Sequence, residues 1–394
     1  MAQIIDQIVK ISIQDAISSV TTVDVNTMAL VGKTGASGST DAKEIASLSG
    51  AKDAFGEDSE LYQMVKAFFA QDSQPSRVVC IPAGSDALAA VQAAAENFDF
   101  YHIVYASDDT AVSLNDIKSW HEWLADVKKV AHIQIKAADK AGLDGRADAG
   151  YDRVALYLHT EMNSVTTTVY DSETKETTVT TSTTKPAGWI DHAAKSVTTD
   201  GTETTTVEIS WEYLPVAIVA LRCASDSAKG TFAHKKCKGV TPDSYSVESY
   251  NECIDGGYNI YTKVSGESRL FMGTTSSNER FIDQIVKDDW IRFNAQSRIY
   301  QLLGEGNDGN GVNYDDAGIA AVAAAVLNVL NTAADTVHQY VMEGSASVDY
   351  KPYSYLVANY AEDVRKRNLP LITGRYARMN SIHTVVQVSL QVTL

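Results

Sequence analysis

The chain has 394 residues, of which 44% are hydrophobic and only seven are proline, which allows a large buried core split among two or three domains. Its formal net charge of −17 repels phosphate and argues against nucleic-acid binding. The longest apolar stretch, Ala317 to Val329, falls short of the ~20 residues of a membrane helix, so membrane insertion is not expected.

The opening residues, MAQIIDQIVK, lack the pattern of a signal peptide, and retention in the compartment of synthesis is expected. Residues 1–22 read as an arm, in which Val9, Ile11 and Ile13 alternate with polar residues at strand spacing. From residue 23 to 160, strands alternate with helices. Met28 to Val31 is an apolar run. Leu61, Met64, Val65, Phe68 and Phe69 recur at helical spacing behind Asp58 and Ser59. Strands are predicted at Arg77 to Ile81 and Tyr101 to Tyr105, with a helix from Ser85 to Asn97 between them. Ser113 and Asp116 form a capping box ahead of a helix carrying Leu114, Ile117, Leu124 and Val127. The strands Ala131 to Ile135 and Val154 to Leu158 follow. This rhythm predicts a mostly parallel sheet covered by helices.

Residues 160–206 hold seventeen threonines, and Val207, Ile209, Trp211 and Tyr213 then alternate with polar residues. Threonine suits the pleat, which predicts an antiparallel β insertion with at least one exposed face. A disordered linker is the alternative. A helix is expected near Pro215 to Cys223, then a polar, turn-rich stretch to Asn278 with strands at Tyr258 to Val264 and Arg269 to Met272. Two long helices, Asn278 to Leu303 and Asp315 to Val341, flank a glycine loop. The chain closes on the strand Val386 to Leu394. Val386, Val388, Leu390, Val392 and Leu394 share one face of it. The fold class is thus α/β (α+β overall). It has a helix-covered mostly parallel sheet, a Thr-rich insertion, and a C-terminal α+β part with extended terminal strands.

Catalytic motifs fail on spacing. Gly32-Lys33-Thr34 follows a strand, but a phosphate loop needs a glycine where Thr27 stands. His121-Glu122 lacks a second histidine, since Ala125 occupies its place. Ser39 holds the last position of a would-be nucleophile elbow. Asn307, Asp308, Asn310, Asp315 and Asp316 do not match a calcium loop. The four cysteines show no metal spacing, and buried free thiols are expected. No catalytic residue, cofactor or metal is assigned.

Phe281-Ile282-Asp283 through Asp289-Trp290-Ile291 resembles the sheath subunit of contractile phage tails. So do Ile299-Tyr300-Gln301-Leu302-Leu303, Tyr314-Asp315-Asp316-Ala317-Gly318-Ile319 and Ile382-His383-Thr384-Val385. Phe55 to Leu61, Ala67 to Gln71 and Gly239 to Asp243 fit the same family, while residues 160–212 match nothing in it. The resemblance implies a structural subunit, not an enzyme. It would polymerise with itself as stacked six-membered rings around a tail tube, with baseplate and tail terminator proteins as further partners. Synthesis in a bacterial host's cytoplasm and residence in a virion tail or phage-tail-like injection particle follow. It also implies terminal arms, 1–22 and 381–394, that add strands to neighbouring subunits through Val9, Ile11, Ile13, Val386, Val388, Leu390 and Val392. The α/β body would comprise 23–160 and 213–277, an outward insertion 161–212, and a tube-proximal part 278–380 with Asp289, Trp290 and Arg292. An α/β enzyme with an unrecognised site and a Thr-rich surface adhesin are the competing readings.

Overall fold

The computed structural model describes residues 24–106, 112–135, 140, 142–143, 150–159, 165–182, 195–199, 202–208, 212–277, 279–304 and 311–384. The predicted arm strands at Val9–Ile13 and Val386–Leu394 lie outside the described residues.

In chain order, β1 (Met28–Gly32), β2 (Lys43–Ile45), α1 (Leu48–Phe55), α2 (Glu60–Phe69), β3 (Val78–Pro82), α3 (Ala87–Ala94), β4 (His102–Tyr105), α4 (Leu114–Val127), β5 (Val130–Ile135) and β6 (Val154–Leu158) build the first half. Then come β7 (Val165–Asp171), β8 (Thr177–Ser182), β9 (Lys195–Thr199), β10 (Thr202–Glu208), α5 (Leu214–Ala224), α6 (Val247–Asp255), β11 (Tyr258–Val264) and β12 (Glu267–Phe271). The last are α7 (Ile282–Gly304), α8 (Asp316–Ala333), β13 (Ser347–Asp349), α9 (Tyr353–Asn359), α10 (Ala361–Arg365) and β14 (Thr373–Arg375).

Helix starts follow local chemistry. Ser47, Ser59, Asp86, Ser113 and Ser246 each accept a backbone N–H three residues on, at α1, α2, α3, α4 and α6. The predicted capping box of Ser113 and Asp116 is formed. α1 and α6 are additions to the sequence reading, which names no element at the first segment and gives the second as a polar, turn-rich stretch. Each is short, and α6 buries only Cys253 among its helical residues, so little periodicity marks it.

The main sheet has the order β12-β11-β6-β5-β4-β1-β3-β2. Its inner pairings are parallel, while β12 and β2 pair antiparallel at the two edges. Strand alternation divides the core in two. Leu30, Cys80, Val104, Ala155 and Tyr157 face the cluster built with α2, α5 and the start of α7. Val31, Ile81, Ile103, Ile133 and Leu156 face a second cluster with α3 and α4. Burial on both faces explains the unbroken apolar runs in these strands.

The threonine-rich block is a separate four-stranded antiparallel sheet, β8-β7-β10-β9, as the alternation predicted. α8 ends at Ala333, not at Val341 as the sequence suggested. The Asp335 carboxylate accepts the backbone N–H groups of Val337 and His338, and Tyr340 turns back to the Ala333 carbonyl. Local side-chain bonding competes with helix continuation there. α8 is apolar along most of its length, and it lays Ile319, Val322, Ala325 and Val329 inward beside α7.

Candidate functional site

Two adjacent carboxylates on α7 hold different parts of the molecule. Asp289 is buried and takes a paired contact from Arg153, at 2.5 and 2.9 Å, plus the Tyr101 hydroxyl at 2.7 Å. Asp288 receives Arg280 at 2.7 Å, Arg378 at 2.6 and 2.8 Å, and the Tyr376 hydroxyl at 2.9 Å. The first ties α7 to the main sheet and the second ties it to the C-terminal segment. The hydrogen bonds to Asp288 hold the Arg378 guanidinium above its ordinary pKa. Trp290 rests half-buried against His338 and Tyr340, and Arg292 is buried. Asp289 and Arg292 therefore serve internal packing within the subunit.

The loop after α5, residues 225–234, anchors both ends of the described chain. Ser227 donates its N–H to the Asn26 side chain at 2.7 Å and its hydroxyl to the Val25 carbonyl at 2.8 Å. Thr231 meets His383 Nε2 at 2.8 Å, and His234 Nε2 lies 3.1 Å from the His383 carbonyl. Phe281 packs edge-on against the His383 ring. The buried Arg222 holds the loop by donating to the carbonyls of Asp226, Ser227 and Lys229. Lys287, buried and 2.7 Å from Asp283, donates to the carbonyls of Met379 and Gly230. The chain emerges beside one loop at Asp24 and again at Thr384.

Between Met342 and Thr384 the only buried residue is Leu356. Yet this segment has defined structure: β13 and β14 pair antiparallel, with α9 and α10 between them. Met342, Tyr350, Tyr353, Tyr355, Val357, Leu371, Met379 and Ile382 are all exposed there. An ordered segment with this much apolar surface marks an interaction site. β13–β14 rests against α8, with Val348 packed on the core. Among the described residues neither strand has a second partner, so both edges of this short sheet are open.

No protein-family profile matches the chain, and no curated relative matches it. Solved structures do. A chain of the anti-feeding prophage baseplate, six-fold symmetrised, superposes with a TM-score of 0.57 at 12% identity, covering 98% of this chain and 99% of that one. A chain of the contracted anti-feeding prophage helical sheath gives 0.55 at 12% identity, covering 97% and 98%. The baseplate in its contracted state gives 0.52 at 13% identity, covering 97% and 96%. The chain has the contractile tail sheath fold.

Within this sheath fold, several residues of the motifs that resembled catalytic ones make contacts within the subunit. The Glu60 carboxylate accepts the Lys33 N–H at 2.8 Å, so the turn after β1 already carries an anion of its own. A Cβ at Gly38 would lie 2.5 Å from the Phe55 carbonyl oxygen, which explains the glycine without any ligand. Asp315 caps α8 through the Gly318 N–H, and Asp316 accepts the Tyr353 N–H at 2.6 Å. Asn307, Asp308 and Asn310 lie outside the described residues. His121 faces Asp152 at 3.8 Å, and Glu122 pairs with Lys118 on the helix surface.

One cluster escaped the sequence reading. His159 ends β6 just before the threonine-rich insertion, and Glu212 follows that insertion. The buried His159 ring lies 3.0 Å from Asp243 and 3.2 Å from Glu212, which also accepts the Thr241 hydroxyl at 2.8 Å. Burial lowers the imidazole pKa, but the hydrogen bonds the ring donates to Asp243 and Glu212 outweigh it and bring it to about 9. The charged ring thus binds the two ends of the insertion together. The partners are far apart in sequence, and only the turn to an alternating pattern near Glu212 hints at the junction.

Proposed function

We propose that this chain is the structural subunit of a contractile sheath, polymerising as stacked rings around a tail tube. The observation that carries this reading is the exposed C-terminal segment, with its open-edged β13–β14 sheet, on a chain of sheath fold. Two paired strands of three residues are marginal alone. Strands donated by neighbouring copies extend such a sheet through backbone hydrogen bonds. The arm residues Val9, Ile11, Ile13, Val386, Val388, Leu390 and Val392 are the strands we assign to that role.

The described chain is anchored at both of its ends, through Val25, Asn26 and His383, to the 225–234 loop, so a pull on either arm acts on the same anchor. Such links persist while subunit bodies turn, and new body-to-body contacts supply the free energy of contraction. The contraction drives the tube through a target envelope without nucleotide hydrolysis. Rings of six are favoured by the six-fold symmetry of the baseplate to which a similar chain belongs. Residues 278–380 are the tube-proximal part and 161–212 the outward insertion. The partners are copies of itself, the tube, the baseplate and the tail terminator, in a phage tail or a related injection particle. The role is structural, not catalytic.

Negative-stain microscopy of the expressed chain tests the reading. Striated tubes are expected, and deletion of Gln387–Leu394 is expected to abolish or shorten them. A monodisperse small oligomer from the full chain overturns the sheath role, and normal tubes from the deletion overturn strand donation by the C-terminal arm.

A further inference from the structure

Among the described residues the threonine-rich sheet has two free edges, and their chemistry is unusual. β8 reads Thr-Thr-Val-Thr-Thr-Ser, with no charge, proline or glycine. β9 reads Lys-Ser-Val-Thr-Thr, with one charge at its first position. Natural edge strands are commonly blunted by charge, proline or a bulge, because an unpaired row of N–H and C=O groups recruits another strand. Neither edge carries proline or glycine, and β8 carries no charge. Thr178 and Val179 are consecutive, so they point to opposite faces, and both are exposed. Along Thr177–Val179, then, both faces meet solvent, and the edge is what remains for added stabilisation.

Strand direction decides which partner fits. β7 runs antiparallel to β8 and β10, and β10 runs antiparallel to β9. β8 and β9 therefore run in opposite directions on opposite edges. Two sheets set side by side in the same orientation bring β8 of one beside β9 of the other as an antiparallel pair. Joining β8 to β8 is also antiparallel, but it stops at two copies and leaves every β9 open.

We propose that the insertion is a head-to-tail linker, with β8 of one copy pairing to β9 of the next copy of this chain. A contact between two different edges is heterologous, and it propagates into rings or helices. This inference rests on the sheath reading for bringing copies side by side, and its readout is separate.

The test places cysteines at the strand centres, as Val179→Cys with Val197→Cys in the full chain, and treats the protein with a short bis-maleimide. Within one copy these strands are three strand spacings apart, about 14 Å, too far for that reagent. Denaturing gels are expected to show dimers, trimers and a ladder beyond. The single variants and the parent chain, whose native cysteines are buried or half-buried, are expected to show none beyond dimer. Monomer alone overturns the proposal, and so does a product that stops at dimer. Adding Thr178→Lys and Thr180→Lys is expected to remove the ladder with an unchanged circular dichroism spectrum. A ladder that survives those lysines also overturns it. Should the first cysteine pair misfold, Thr177→Cys with Thr198→Cys repeats the test. Microscopy of the same samples separates the two ideas: tubes without a ladder sink the linker alone, and a ladder without tubes sinks the sheath role alone.

Discussion

Asp288 and Asp289 are neighbours on α7, about 100° apart around the helix, and that angle lets them serve opposite sides. Asp289 and Arg153 are nearly fully buried, with side chains 2% and 11% exposed, so removing one partner strands the other at a cost of about 3–5 kcal/mol. His159 offers a sharper test because its effect has a pH signature. Its folded pKa of about 9 lies above the ordinary value of 6.5. The stabilisation is therefore complete below pH 6.5 and is lost as pH rises through 9. At 1.36 kcal/mol per pKa unit the swing is on the order of 3 kcal/mol. The buried His102 and His132 act in the opposite sense. Burial holds both low, His132 at about 3, so they favour the fold above pH 6.5 and destabilise it as pH falls toward their folded values. Thermal unfolding from pH 5 to 10 is expected to show a maximum near pH 6.5, with the alkaline decline flattened by His159→Gln. An alkaline limb unchanged by that substitution would remove His159 as its cause.

At the scale of elements, legibility tracked burial. β5 and β6 were readable because apolar runs on a doubly covered sheet leave a plain signal, and α4 because Ser113 and Asp116 announce its start. β13 and β14 were not readable. Each has three residues, twenty-three residues separate them, and no tight-turn sequence joins them. The anchoring loop was equally hidden, since Ser227 meets Val25 and Asn26 across about two hundred positions of sequence. The alternation at Val386–Leu394 reads as a strand in need of a partner and lies outside the described residues, whereas nothing in the sequence pointed to the β13–β14 sheet proposed to receive a neighbour's arm. That pairing makes a specific demand on β13. Proline at Val348 removes a backbone donor from the middle of this three-residue strand and so weakens the sheet that an added strand would extend. Val348→Pro is expected to lower tube yield at least tenfold in microscopy and sedimentation, while the main sheet keeps its circular dichroism signal. Undiminished tubes from Val348→Pro would exclude β13 as an acceptor.

For the whole molecule, charge distribution makes a further demand. The chain carries a net −17, but residues 351–378 hold six basic and two acidic side chains. This basic stretch lies within the exposed segment Met342–Thr384, which as a whole holds six basic and four acidic side chains, so the segment proposed for assembly is opposite in sign to the remainder of the subunit. Copies that meet through it gain attraction, while acidic bodies left facing each other repel. Salt screens both effects, over about 10 Å at 0.1 M. Attraction across a short contact and repulsion between larger bodies predict different responses. If the basic segment steers assembly, the concentration at which tubes form rises with added salt. If body repulsion dominates, it falls. The exposed Arg367 discriminates further, because Arg365 and Lys366 already pair with Glu362 on α10. An exposed charge contact is worth up to ~1 kcal/mol, a factor of roughly five. Arg367→Glu is expected to raise the critical concentration by roughly that factor at low salt, with the gap closing at 0.5 M as screening removes the contact. Pelleting assays across a salt series measure both quantities. A critical concentration that falls with salt, or that ignores Arg367→Glu at low salt, rules out the basic segment as the electrostatic contact between copies.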